Sequence, residues 1–129
     1  MLIGLYIFID DEFEDPVYGE PSPADQDATL WEIACEAVND ALEDEATVHG
    51  VKNSGKSRVA WNVHARQGIS FVAIVSDEVK AGEVEKYLAK LARRYMDEVD
   101  DPRNPERAGV DDVVIDVIPP WEVDDDDQG

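Results

Sequence analysis

From Val84 to Val99, apolar side chains recur at three- and four-residue steps: Val84, Tyr87, Leu88, Leu91, Ala92, Tyr95 and Val99, with Glu85, Lys86, Lys90 and Arg93 in the gaps. That spacing lays one apolar stripe along a helix. Just before it, Ile69 to Val75 is almost wholly apolar, β-branched or aromatic and is bounded by Gly68 and Ser76-Asp77. Such a run predicts a strand covered on both faces, set in the middle of a sheet. Leu2 to Ile9 repeats the pattern and is ended by Asp10-Asp11. It is expected beside the Ile69 strand.

The segments between are less regular. Asp11 to Pro23 carries Pro16, Gly19, Pro21 and Pro23 among acidic residues, so it reads as loop with room for a short edge strand around Phe13 or Val17-Tyr18. Ser22-Pro23-Ala24-Asp25 has the chemistry of a helix start, and the helix predicted from it runs to Glu43. Leu30, Trp31, Ala34, Ala37, Val38, Ala41 and Leu42 form its buried face, with Trp31 large enough to anchor it on the sheet. Ala46 to Lys52 and Arg58 to Ala65 alternate like strands around the turn Asn53-Ser54-Gly55-Lys56, and with the Ile69 strand they make a meander. Val113 to Ile118 is a last strand-like run, followed by Pro119-Pro120-Trp121 and the acidic residues Asp124 to Asp127. The organisation expected is a domain over residues 1–99, a linker over 100–112, a strand-like extension or docking segment over 113–121 and a disordered acidic tail over 122–129. The fold class is α/β (α+β): a five-stranded, mainly antiparallel sheet carrying two long helices.

Charge narrows what such a domain can touch. With 31 acidic residues against 11 basic, the chain of 129 residues has a net charge of −20. Phosphates would be repelled, which argues against nucleic acid and anionic membranes as partners. A surface adapted to high salt, a solubilising surface on an interaction protein, and a mimic of nucleic acid that engages basic proteins all remain open. Leu2 to Ile9 is too short to span a bilayer and lacks the basic flank of a signal peptide. The lone Cys35 forms no intramolecular bridge and lies in an apolar helical pattern, as a packed thiol would. A cytoplasmic protein is expected.

Gly50-Val51-Lys52-Asn53-Ser54-Gly55-Lys56-Ser57 satisfies the P-loop pattern GxxxxGK[ST], with Gly50, Gly55, Lys56 and Ser57 as its signature residues. A P-loop needs a helix leaving the turn so that backbone N–H groups meet phosphate. Here Arg58 to Val63 alternates like a strand, so a hairpin turn is the preferred reading and nucleotide binding the alternative. His49, His64 and Cys35 match no metal-ligand spacing, and no Ser/His/Asp or Cys/His arrangement can be singled out. We therefore expect no catalysis, cofactor or metal. The candidate functional segment is the docking stretch Val113, Ile115, Val117, Pro119, Pro120 and Trp121, which is either a partner site or a cover for the free edge of the Leu2 strand.

The order strand, long loop, helix, three-stranded meander, helix resembles the longin domain, a relative of the roadblock and profilin-like folds. The residues that carry the resemblance are Leu2-Ile3-Gly4-Leu5-Tyr6-Ile7-Phe8, the helix from Leu30 to Leu42, and Val63 to Asp77 leading into the helix of Val84 to Val99. A longin has a clear second strand before its first helix where this chain has a Pro-rich acidic loop, and no SNARE heptads or lipidation cysteine follow. The resemblance implies a stand-alone, prokaryotic-type, non-catalytic platform that binds or regulates a small Ras-like GTPase, forms a homodimer, or both. The alternative from another class is a small-molecule sensor of the profilin or PAS-like type, which requires a cavity between sheet and helices.

Overall fold

The computed structural model describes residues 2–44 and 47–122. The elements run β1 (Leu2–Ile9), β2 (Tyr18–Glu20), α1 (Ala28–Glu43), β3 (Thr47–Ser54), β4 (Ser57–His64), β5 (Ile69–Ser76), α2 (Ala81–Glu98) and α3 (Arg107–Asp116), with single 3-10 turns at Pro23–Asp25 and Pro120–Glu122. The strands form one five-stranded antiparallel sheet in the order β2-β1-β5-β4-β3. The α+β class and the antiparallel sheet agree with expectation, β5 is the central strand, and β1 lies beside it. Ala46, the expected first residue of β3, and the acidic tail beyond Glu122 lie outside the described residues.

The unbroken apolar runs of β1 and β5 have a direct cause, since helices cover both faces of the sheet. Leu5, Ile7, Ile9, Phe71 and Ala73 point into one core layer with the α2 residues Val84, Leu88, Leu91 and Tyr95 and the α3 residues Val110, Val113 and Val117. Tyr6, Phe8, Val72 and Ile74 point into the other layer, with Leu30, Ala34, Val38 and Ala41 of α1. Trp31 anchors α1 as anticipated, meeting Tyr6 edge-on at 4.9 Å and Phe8 at 5.7 Å. A fully buried aliphatic or aromatic side chain contributes roughly 1.5–3 kcal/mol, so these two layers supply most of the folding drive.

Three expectations change. α1 does not begin at Ser22-Pro23, which make only the short 3-10 turn, with Ser22 Oγ donating to Asp25 Oδ2 at 3.0 Å. Gln26 interrupts the helix because its Nε2 donates to the Tyr6 hydroxyl at 2.9 Å and its Oε1 accepts from the Asp27 N–H. Asp27 is then the N-cap, its carboxylate accepting from the N–H groups of Thr29 and Leu30 at 2.9 and 3.1 Å.

Second, Val113 to Ile118 is not a strand; Val113 to Asp116 is the last part of the helix α3, and residues 107–112, expected to be linker, are its first part. Tertiary packing overrides the β-branched composition, because Val110, Val113 and Val117 recur at helical spacing and are buried. The helix stops at Asp116, two residues before the Pro119-Pro120 pair constrains Ile118 to extended backbone. Third, the free edge of β1 is covered by β2, with Leu5, Tyr6 and Ile7 opposite Glu20, Gly19 and Tyr18, and not by residues 113–118. The remaining connection is docked rather than loose. The Tyr95 hydroxyl donates to the Pro102 carbonyl at 2.7 Å, and Arg103 grips Asp10 through two N–H···O contacts of 3.1 and 2.7 Å while donating to the Gln67 carbonyl. Burial pushes the Tyr95 phenol up to about 12, so it stays a donor throughout the neutral range.

Four polar atoms are buried without a hydrogen-bond partner among the described residues, at Asn62 Oδ1, His64 Nε2, Ser70 Oγ and Trp121 Nε1. His64 packs edge-on against Phe71 at 5.9 Å, and burial lowers its pKa below the ordinary 6.5. Above that value His64 is neutral both folded and unfolded. As the pH falls, the unfolded chain takes up the proton first, so stability is lost from about 6.5 down to the lower folded value. We expect urea denaturation to show wild-type stability declining from pH 7.5 to 5.5 with a slope that His64→Leu reduces, by no more than the roughly 1.4 kcal/mol per pH unit one proton allows. Equal slopes for both proteins would refute this account.

Candidate functional site

β2 is three residues long and pairs with only the middle of β1, and the chain turns away at Pro21, joined to Glu20 by a cis peptide bond. The first residues of β1 therefore run on past the end of β2. Beside them, α3 lies across α2 and approaches β2, so an open trough is left between the sheet edge and the end of α3. This groove, of about 380 Å³, is lined by Leu2 to Leu5 of β1 and by Tyr18, Glu20 and Pro21. Tyr87 of α2, Val114 and Val117 from α3 and its C-cap, and Pro119 complete the lining, with Tyr87 and Val117 themselves nearly buried.

The lining is mainly apolar and its surroundings extend that character. Among the described residues, Ile115 and Ile118 are the exposed large hydrophobic ones, at 72% and 57% exposure. Trp121 stands edge-on to Tyr87 at 5.4 Å, and its buried indole N–H has no acceptor among the described residues. The charges at the groove are acidic. Glu20 lines it, and together with Asp111 it raises the Tyr18 pKa, behind the larger effect of burial, so both carboxylates stand within Coulombic reach of the same ring. Neither has an ion-pair partner among the described residues. Asp116, by contrast, pairs with Arg94 of α2 at 3.3 Å, which fixes the C-terminal end of α3.

The residues singled out in the sequence divide accordingly. Val117 and Pro119 line the groove and Trp121 backs its Tyr87 wall. Val113 and Val117 are both buried at 1% exposure, whereas Ile115 and Pro120 face outward. The reading missed Leu2, Tyr18, Glu20, Tyr87 and Val114. Tyr87 reads in sequence only as part of the buried stripe of α2, and Pro21 signals where a strand must end but not that α3 arrives there.

Residues 50–57 form no phosphate cradle. Ser54 pairs with Ser57, so Gly55 and Lys56 are a two-residue hairpin turn with φ +60° at Gly55, and β4 rather than a helix leaves it. Gly50 lies opposite Trp61, whose ring carbon Cζ2 would sit 2.7 Å from an added Cβ. Each glycine of the motif thus has a local packing or turn reason. Among the described residues no group of three or more His, Cys, Asp or Glu side chains is placed to hold a metal ion, and no helix is long and apolar enough to cross a membrane. Cys35 is half-buried on α1, and burial raises its thiol to about 11, so it is protonated and a poor nucleophile at neutral pH. Compared with protein-family models, with curated proteins and with solved structures, the chain matches none.

Proposed function

We propose that this chain is a non-catalytic interaction module that seats a protein partner at the groove between the β1 edge and α3. The observation that carries the proposal is the groove itself, with Ile115 and Ile118 exposed on the adjoining segment. Two exposed isoleucines beside an apolar trough make the kind of patch that marks interaction sites on protein surfaces. The order of elements adds support to the longin-like reading. The short β2 supplies a strand before α1, at the place where the sequence suggested mainly loop. On that reading the proposed partner is a small Ras-like GTPase, with the homodimer as the second form of association.

The test is affinity capture of the tagged chain and of an Ile115→Asp/Ile118→Asp variant, with GDP or a non-hydrolysable GTP analogue present. Both positions are exposed, so the variant is expected to fold. A GTPase recovered by the wild type in one nucleotide condition and lost by the variant is the expected result. A chain that captures nothing and remains a monomer by light scattering, or a variant that captures whatever the wild type does, would defeat the proposal.

A further inference from the structure

The groove is lined mainly by apolar residues and carries one carboxylate, Glu20, and that combination narrows its occupant. Val114 and Pro119 offer aliphatic contact and Tyr18 an aromatic ring, while Val117 and Tyr87 are buried; Glu20 on the lining, and Asp111 within electrostatic reach of Tyr18, have no cation among the described residues. A few other surface carboxylates are answered from within the chain, such as Asp10 by Arg103 and Asp116 by Arg94, but what sets Glu20 and Asp111 apart from the remaining acids is the wall of Tyr18 and Val114 near them. Arginine suits such a place because its methylene stem covers apolar surface while its planar head pairs with carboxylate and lies on aromatic faces.

We propose that the groove binds a basic, aliphatic-rich segment of a protein partner, with an arginine laying its stem along Tyr18 and Val114 and its guanidinium between Glu20 and Asp111, and neighbouring aliphatic residues meeting Pro119 and Ile118. This rests on the reading of the chain as an interaction module and names the chemistry of its partner. A net charge of −20 hastens the approach of any cation, but the position of these two carboxylates beside an apolar wall decides where a basic segment settles.

The test separates position from overall charge. A fluorescein-labelled peptide of alternating leucine and arginine is titrated against the full chain, against Glu20→Gln/Asp111→Asn, and against Glu32→Gln/Asp40→Asn. The last pair removes the same charge from exposed positions on α1, across the sheet. Saturable binding is expected, weakened about tenfold or more by the first pair, changed less than about twofold by the second, and lost when citrulline replaces arginine. Equal weakening by both pairs would mean diffuse attraction to an acidic surface and would overturn the proposal, as would no saturable binding. Self-association of the chain that the peptide fails to displace would overturn it too, assigning the groove to a second copy. If a partner is still captured through Ile115 and Ile118 while the peptide fails, this inference falls and the interaction-module reading stands.

Discussion

Gly68→Ala is expected to lower stability by about 1.5–3 kcal/mol, while Gly55→Ala, at nearly the same backbone angle, costs only about 1 kcal/mol. Gly55 has φ +60° in the β3–β4 turn, and a Cβ there would meet nothing within 4 Å. Gly68, with φ +68°, turns β4 into β5, and its Cβ would strike both the Asp10 carboxylate and the Arg103 guanidinium. Both are half-exposed side-chain ends that can swing away, but only by giving up the contacts that hold them. The Gly68 carbonyl accepts from the Asp10 N–H at 2.7 Å, Asp10 itself has φ 52°, and Arg103 holds both Asp10 and the Gln67 carbonyl. Three chain segments, the end of β1, the β4–β5 turn and the connection to α3, therefore meet at one glycine. Urea midpoints of the two variants measure the difference, and equal losses would mean that positive φ alone sets the requirement and that the Asp10–Arg103 clamp adds nothing.

The central part of the fold was legible in the sequence because its signals were long and redundant. β1 and β5 read as doubly covered strands since every position had to be apolar, and the α2 stripe from Val84 to Tyr95 is buried as its period dictates. The hairpin at Gly55 overruled a complete P-loop pattern because Val59, Trp61 and Val63 alternate after it, which a helix leaving the turn would not permit. Where local chemistry was ambiguous, neighbours distant in sequence decided. Ser22-Pro23 is a sound helix start, but Gln26 is drawn away by the Tyr6 hydroxyl, a residue 20 positions earlier, and Asp27 caps instead.

The groove was half legible for the same reason. Val117, Pro119 and Trp121 stood out as an apolar segment without an obvious place in the domain, and they do gather at the groove. Its other wall depends on β2 stopping after three residues, a consequence of Pro21 that fixes no partner by itself. The carboxylates Glu20 and Asp111 could not be distinguished from the other acidic residues until the fold placed them near one ring.

The stretch that sequence assigned to the wrong element gives the second large effect. On a strand, Val113, Ile115 and Val117 would share a face; on α3, Val113 and Val117 point inward with Val110, and Ile115 points out. Val113→Asp is therefore expected to cost about 3–5 kcal/mol, because it buries a carboxylate in the core that α3 shares with α2 and the sheet. Ile115→Asp, two residues on, is expected to stay within about 0.5 kcal/mol of wild type. The loss at Val113 is expected in the unfolding of the whole domain rather than of α3 alone. The valines of α3 share one continuous core with Leu5, Ile7, Phe71 and Leu88, so releasing the helix would expose the centre of the sheet. A single cooperative transition with a lowered urea midpoint for Val113→Asp, beside an unchanged one for Ile115→Asp, is the expected pair of results. Similar losses for both variants would favour the strand register after all. An early separate transition for Val113→Asp would make α3 an independent flap on a domain that is complete without it.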